Sequence, residues 1–178
     1  MQLRDVRPDD VDAYVRMRCD PVMMADLGGP LPREGMEEKV RRDVRNAAAG
    51  TQWIKMIVLD EARPAVSAGT VTLWSHTEDG ERMSEIGWMV LPEFQGRGVG
   101  KQAVRALLDL AGADGRWGLV HAFPATANVP SNGICRSLGF RLLEERDVTF
   151  ADRVLRTNHW VIDPRPNDAQ VQVVVREG

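Results

Sequence analysis

Glu85 to Lys101 reads EIGWMVLPEFQGRGVGK, and the organisation of the rest of the chain follows from this stretch. It starts with strand-like residues, turns at Pro92, sets Gly96, Gly98 and Gly100 at alternate positions, and then changes to helical spacing. Val99, Ala103, Leu107 and Leu110 form an apolar row, with Lys101, Arg105 and Asp109 on the opposite side. A strand that passes through glycines straight into a helix leaves backbone N–H groups open to an anion, and the helix dipole adds to the attraction. A phosphate cradle and a tight turn without a ligand both satisfy that pattern. Spacing excludes two familiar phosphate motifs. Gln95 stands where a P-loop needs its first glycine, and Gln102 follows Lys101 in place of Ser or Thr. The glycines are spaced G-x-G-x-G, not the G-x-G-x-x-G of a dinucleotide site, and a meander precedes them, not a βαβ unit.

Working outward, Gln52–Leu59, Ala65–Ser75 and Arg82–Leu91 have strand character and are separated by EARP and TEDG, which carry turn chemistry. They predict an antiparallel meander. At the start, QLRDVR reads as a strand leading into a helix at Pro8-Asp9-Asp10, with Val11, Tyr14, Val15 and Arg18 on one side and a stop near Asp20-Pro21. Val22–Pro32 is a Gly/Pro-rich loop, and Arg33–Ala49 a second helix carrying Met36, Val40 and Val44 in one row. Beyond the glycine turn come a strand at Trp117–Phe123, a short helix at Pro130–Leu138 and strands at Phe140–Phe150 and Val154–Ile162. There is no internal repeat. The order βααβββαβαββ predicts an α/β (α+β) fold, one domain over 1–163, whose central strands are covered by helices on both faces. VQVVV in the 164–178 tail is consistent with an eighth strand on the same sheet or with an edge for pairing in a homodimer.

Composition narrows the function classes. With 178 residues, 43% apolar and 28% charged, the chain has material for one ordinary core. Its 26 acidic and 23 basic residues leave a net charge of −3, which gives no electrostatic case for a general nucleic-acid or anionic-membrane binder. Cys19 and Cys135 make neither a disulfide framework nor metal-ligand spacing, so no metal and a reducing compartment are expected. No stretch approaches the roughly 20 apolar residues of a membrane span. The charged start MQLRDVRPDD lacks the apolar run of a signal peptide, and a soluble cytoplasmic protein is expected.

Gln95-Gly96-Arg97-Gly98-Val99-Gly100 resembles the central Q/R-x-x-G-x-G/A motif of the GNAT superfamily of acetyl-CoA-dependent N-acetyltransferases. Asn128, Ser131, Leu138, Gly139 and Phe140 have the spacing of that family's N-x-x-S/A…L-G-F segment, and Gly69-Thr70-Val71 is a weaker third match. The wording EIGWMVLPEFQGRG looks most like the RimJ/RimL-type branch. The resemblance implies a mixed, mostly antiparallel sheet of about seven strands with four helices. It also implies acetyl-CoA as co-substrate, bound in a splay between the strand ending near Leu91 and the strand Trp117–Phe123. The amides of Gln95, Gly96, Arg97, Gly98, Val99 and Gly100, with Lys101 beside them, would hold the pyrophosphate. The backbone of Met89 and Val90 would pair with the pantetheine arm, and the Val90 N–H would face the thioester oxygen.

On the same resemblance Glu85 occupies the position where many members carry a carboxylate that accepts the amine's proton; its other reading is a partner for a neighbouring Arg or Lys. Trp53, Trp74 or Met89 would supply an apolar lining that raises its pKa. Many members place a tyrosine seven residues after the Asn to protonate the leaving thiolate. Here that position is Cys135, and the single tyrosine is Tyr14, in the first helix. Asn128, Ser131 and Cys135 share one helical side and face the cofactor sulfur under this reading; Cys135, Ser131 or water remains as the acid, and a small core residue is an equal reading of Cys135. His76 and His121 stand as candidates for substrate binding or proton relay beside a structural reading. The acceptor, a small-molecule amine or a protein N-terminus, would lie under the loops Cys19–Pro32 and Ala151–Arg153. A GNAT-fold module that binds acyl-CoA or a partner without turnover is the alternative.

Overall fold

The computed structural model describes residues 1–78, 80–150 and 153–165, with Phe150 described by its backbone alone. In chain order the elements are β1 (Gln2–Asp5), α1 (Val11–Arg18), α2 (Met36–Ala48), β2 (Gln52–Val58), β3 (Ser67–Glu78), β4 (Glu81–Val90), α3 (Val99–Asp114), β5 (Val120–Ala122), α4 (Val129–Leu138), β6 (Arg141–Phe150) and β7 (Arg153–Ile162). The expected order is present. The strands form one seven-stranded sheet ordered β1-β2-β3-β4-β5-β7-β6. Every neighbouring pair is antiparallel except β4 with β5, the pair joined by the α3 crossover.

That parallel pair is short. β4 and β5 match only at Ser84 with Val120 and Glu85 with His121. From Ile86 to Val90, β4 therefore runs on along β3 with no partner on its β5 side, and the sheet opens there into a splay. Strand alternation sorts the side chains of β4 between the two faces. Ile86 packs with Val71, Leu73, Leu107, Cys135 and Trp160 beneath α3 and α4. Met89 packs with Tyr14, Met17, Val40 and Met56 beneath α1 and α2. Glu85, at the parity of Met89, projects on the α1/α2 face.

Several boundaries differ from expectation for local reasons. α2 begins at Met36, not Arg33, because Gly35 takes φ +92° and ends the loop just before it. β3 runs on through Thr77 and Glu78, which pairs with Glu81, so part of TEDG is strand. α3 continues to Asp114, and its buried row passes from Leu107 to Ala111, leaving Leu110 exposed. β5 shrinks to three residues because so little of it finds a partner on β4. Trp117, expected in that strand, is buried just ahead of it, and its carbonyl accepts from the Ser84 hydroxyl at 2.6 Å. The tail with VQVVV, and Ala151 and Asp152 of the last hairpin loop, lie outside the described residues.

Candidate active site

The glycine turn is built for an oxygen-rich ligand. Gly96 and Gly98 hold φ +71° and +74°, a left-handed conformation that costs other residues, and a Cβ added at Gly96 would meet nothing within 4 Å. The first helical backbone bond of α3 runs from the Gln102 N–H to the Gly98 carbonyl at 3.0 Å. Among the described residues, no acceptor engages the amides of Gly96 through Lys101, because three belong to the turn and the rest to the first turn of a 16-residue helix. Six backbone donors without a partner among the described residues, at a helix N-terminus, fit a pyrophosphate. Gly100 serves packing: a Cβ there would stand 3.0 Å from Ile134 Cδ1 and 3.4 Å from Val90 Cγ2.

The open edge of β4 presents its own donors. The Leu91 N–H is bonded to the Ala68 carbonyl at 2.9 Å, on the β3 side. Alternation then turns the N–H and C=O of Val90 toward the splay, while those of Met89 belong to the ladder with Thr70. The Met89 carbonyl lies 2.1 Å from where a Cβ on Gly69 would be, which is why that position is glycine. Of the two residues expected to pair with pantetheine, Val90 offers its backbone to the splay, and Met89 contributes a side chain to the core beneath α1 and α2. The Val90 carbonyl accepts from Gln95 Nε2 at 2.8 Å, so Gln95 ties the turn to the strand through its side chain.

Glu85 is set into the α1/α2 face opposite Trp74 on β3, whose ring also lies 3.5 Å from where a Cβ on Gly87 would be. Burial pushes the Glu85 carboxyl up to about 7; the Glu78 carboxylate adds to the rise and Arg146 opposes it. His76 Nδ1 is 3.9 Å from Glu85 Oε2. His121, in register with Glu85 on β5, places Nδ1 2.8 Å from Nε2 of His159 on β7. Burial, first, pushes both of those histidines below their ordinary value. Phe123 stacks on His159 with ring centroids 4.5 Å apart, Arg146 lies over Phe123, and Arg146 also pairs with Glu78 at 2.5 Å. All three histidines of the chain thus share one sheet face with Glu85. His159 and Arg146 are the members that sequence reasoning missed; the polar run ahead of Trp160 in RTNHWVI was the available signal for His159.

The loop between α1 and α2 packs on this face, with Met24 in the apolar cluster that holds Met89. It also reaches Arg153 at the start of β7, whose guanidinium nitrogens lie 3.7 and 3.8 Å from where a Cβ on Gly29 would be. Met23 of the same loop brings its sulfur to 3.9 Å from Gln95 Nε2.

On α4, Asn128 and Cys135 are tied into the helix cap and the core. Asn128 is the N-cap, its Oδ1 accepting from the Ser131 N–H at 3.0 Å, so its side-chain oxygen holds the helix start. Cys135 has no exposed surface within the apolar cluster, and burial pushes its thiol up to about 12. A thiol that is a weaker acid than an ordinary one has no driving force to protonate a leaving thiolate, which makes Cys135 a core residue. The Ser131 hydroxyl, half-buried, has no hydrogen bond among the described residues and stays available. Asn132, not singled out in the sequence, pins α4 to β7. Its Nδ2 donates to the carbonyls of Ala125 and Asn128, and its Oδ1 accepts from Asn158 Nδ2 at 2.7 Å and Trp160 Nε1 at 2.9 Å. Tyr14 is buried under α2 and donates to Asp43 Oδ2 at 2.9 Å, away from the splay.

Among the described residues, no group of three or more His, Cys, Asp or Glu is arranged to hold a metal ion. No described helix is long and apolar enough to cross a membrane.

The sheet thus splits beside a glycine turn, with a carboxylate on the face away from α3. Residues 1–141 match the family model described as Acetyltransferase (GNAT) domain, and the chain belongs to that family. The chain is also similar to the ribosomal-protein-S5-alanine acetyltransferase of Vibrio fischeri, at 17% identity and TM-score 0.74, over 92% of each chain. The Salmonella typhimurium acetyltransferase that modifies the N-terminal serine of ribosomal protein L7/L12 matches at 16% identity and TM-score 0.73, over 90% of this chain and 93% of that one. The microcin C7 self-immunity acetyltransferase MccE, solved with acetyl-CoA and AMP, matches at 15% identity and TM-score 0.75, over 90% and 91%.

Proposed function

We propose that this chain transfers the acetyl group of acetyl-CoA to a primary amine by direct attack within a ternary complex. The observation that carries the reading is Glu85, a carboxyl held at a pKa of about 7 beside the opening between β4 and β5, on the face opposite α3. An ammonium cannot attack. Glu85 takes its proton, and the neutral amine attacks the thioester carbon. The amides of Gly96 to Lys101 hold the pyrophosphate, and the Val90 N–H faces the thioester oxygen, where negative charge grows during attack. The Ser131 hydroxyl contacts the sulfur, and the proton for the departing thiolate comes from the attacking nitrogen directly or through water.

Two of the structural neighbours act on ribosomal proteins, which favours a protein N-terminus as acceptor and a RimJ/RimL-like place in the family. Free Cys19 and Cys135 favour the cytoplasm.

Thermal unfolding with acetyl-CoA and a coenzyme A release assay test this reading. The assay panel comprises amino acids, polyamines, aminoglycosides and peptides with a free N-terminal alanine or serine. The expected result is a raised Tm together with turnover on at least one amine. Stabilisation without turnover across the panel makes the chain an acyl-CoA-binding module, and absence of stabilisation contradicts the cofactor assignment.

A further inference from the structure

Acetylating an ammonium releases one proton per turnover, and Glu85 must lose the proton it has taken before the next acceptor is served. A bound acceptor lies between Glu85 and the thioester and closes that side. Away from the cofactor, the β3/β4 ladder continues from Trp74 and Glu85 to His76 and Met83, and then to Glu78 and Glu81. His76 is therefore the next polar side chain along the face, diagonal to Glu85 across the two strands.

Its ring is divided between two environments. Nδ1 is buried, has no hydrogen-bond partner, and lies 3.9 Å from Glu85 Oε2, while about a third of the side chain (36%) is exposed to solvent. A buried ring nitrogen without a partner needs a reason in a satisfied structure. His76 does not line the 680 Å³ cavity walled by Glu78, Met83, His121 and Arg146, so its own exposed edge is its contact with solvent. The charged and titratable groups near the ring are Glu85 from β4, Glu78 two residues on in β3 and His121 from β5, with Arg146 of β6 and His159 of β7 engaging the last two. Glu78 is bound to Arg146, and His121 to His159, so those four are engaged with one another and His76 is left to Glu85.

We propose that His76 relays the proton from Glu85 to solvent, an inference that rests on Glu85 being the base. The Glu85 O–H bond breaks as an Nδ1–H bond forms on His76, either directly after a small approach or through one water. The imidazolium then gives its Nε2 proton to solvent water at the exposed edge of the ring. The ring returns to its starting tautomer as water delivers a proton to Nε2 and removes the one on Nδ1, leaving Glu85 ionised and His76 neutral, with one proton released in all.

The test compares wild type, His76→Asn, His76→Gln and Glu85→Gln, with acetyl-CoA and the alanine-starting peptide or, if that peptide is not acetylated, spermidine. In weak buffer both His76 variants lose about tenfold in kcat, at or below the low end of what a positioned proton-transfer group contributes, with KM for acetyl-CoA and Tm unchanged. Added imidazole restores their kcat. In ¹⁵N-histidine spectra recorded without any acceptor, Glu85→Gln shifts the ring-nitrogen signals of His76. Wild-type kcat in the His76 variants at every buffer concentration, a loss that imidazole does not rescue, or His76 ring-nitrogen signals indifferent to Glu85→Gln overturns the relay. If Glu85→Gln is impaired and the His76 variants are not, only the relay falls. If Glu85→Gln is fully active, the base assignment falls with it.

Discussion

The turn ahead of α3 and the polar face shared by β3, β4, β5 and β7 are built on opposite plans. The turn works through backbone amides from six consecutive residues, and glycine is present there because side chains would obstruct or strain it. The face works through side chains from strands far apart in sequence, brought together only because β7 is inserted between β5 and β6. Local chain conformation is enough to make a phosphate cradle, whereas a base with a raised pKa needs neighbours that only the tertiary fold supplies.

The backbone side breaks hardest at Gly69. An added methyl would stand 2.1 Å from the Met89 carbonyl. Gly69→Ala is expected to cost about 3 kcal/mol, read by urea unfolding, because β3 and β4 cannot both keep their places at the strand that carries Val90.

On the side-chain plan, the raised pKa of Glu85 is a stability statement. Its folded value of about 7 lies above the ordinary 4.5, so the proton favours the folded chain. The cost of ionising Glu85 is absent below about pH 4.5, grows between the two values, and is complete above pH 7. Glu85→Gln should therefore be more stable than wild type at pH 8, by about 2 kcal/mol once partial exposure is discounted, and equal to it near pH 4. Urea midpoints at the two pH values give the comparison.

Gly98→Ala separates the two regions more finely. At φ +74° the methyl costs about 1 kcal/mol of stability, and if the turn relaxes to avoid that cost the amides lose their arrangement. The Kd for acetyl-CoA should rise, measured by calorimetry, while the midpoint of the Glu85 titration stays in place. Smallest of all, Cys135→Ala should cost about 1 kcal/mol or less and leave kcat unchanged. In the native chain Cys135 should resist alkylation that the half-exposed Cys19 accepts.

The same contrast explains what could be read from the sequence. The glycine turn, its helix and the element order were legible because each depends on contiguous residues with a fixed period, and Gly96 and Gly98 announce their conformation by composition. Glu85 was legible only through resemblance, since a single acid in a strand has no pattern of its own. The Glu78–Arg146 pair spans 68 residues and the His121–His159 contact 38, and no local rule places such partners together. Cys135 was ambiguous because helical spacing puts it on the side of Asn128 and Ser131 without saying how deep that side lies. Asn132 was passed over because a polar residue in a short helix normally points to solvent, and only the arrival of Asn158 and Trp160 on β7 gives it partners.

The most direct test of Glu85 as the base is the pH dependence of kcat/KM in wild type and Glu85→Gln, with the alanine-starting peptide or, if it is not acetylated, spermidine. Wild type should lose activity as pH falls through about 7. The variant should lack that limb and be slower by about a hundredfold or more. A Glu85→Gln enzyme that keeps the wild-type rate and the same limb would contradict the assignment.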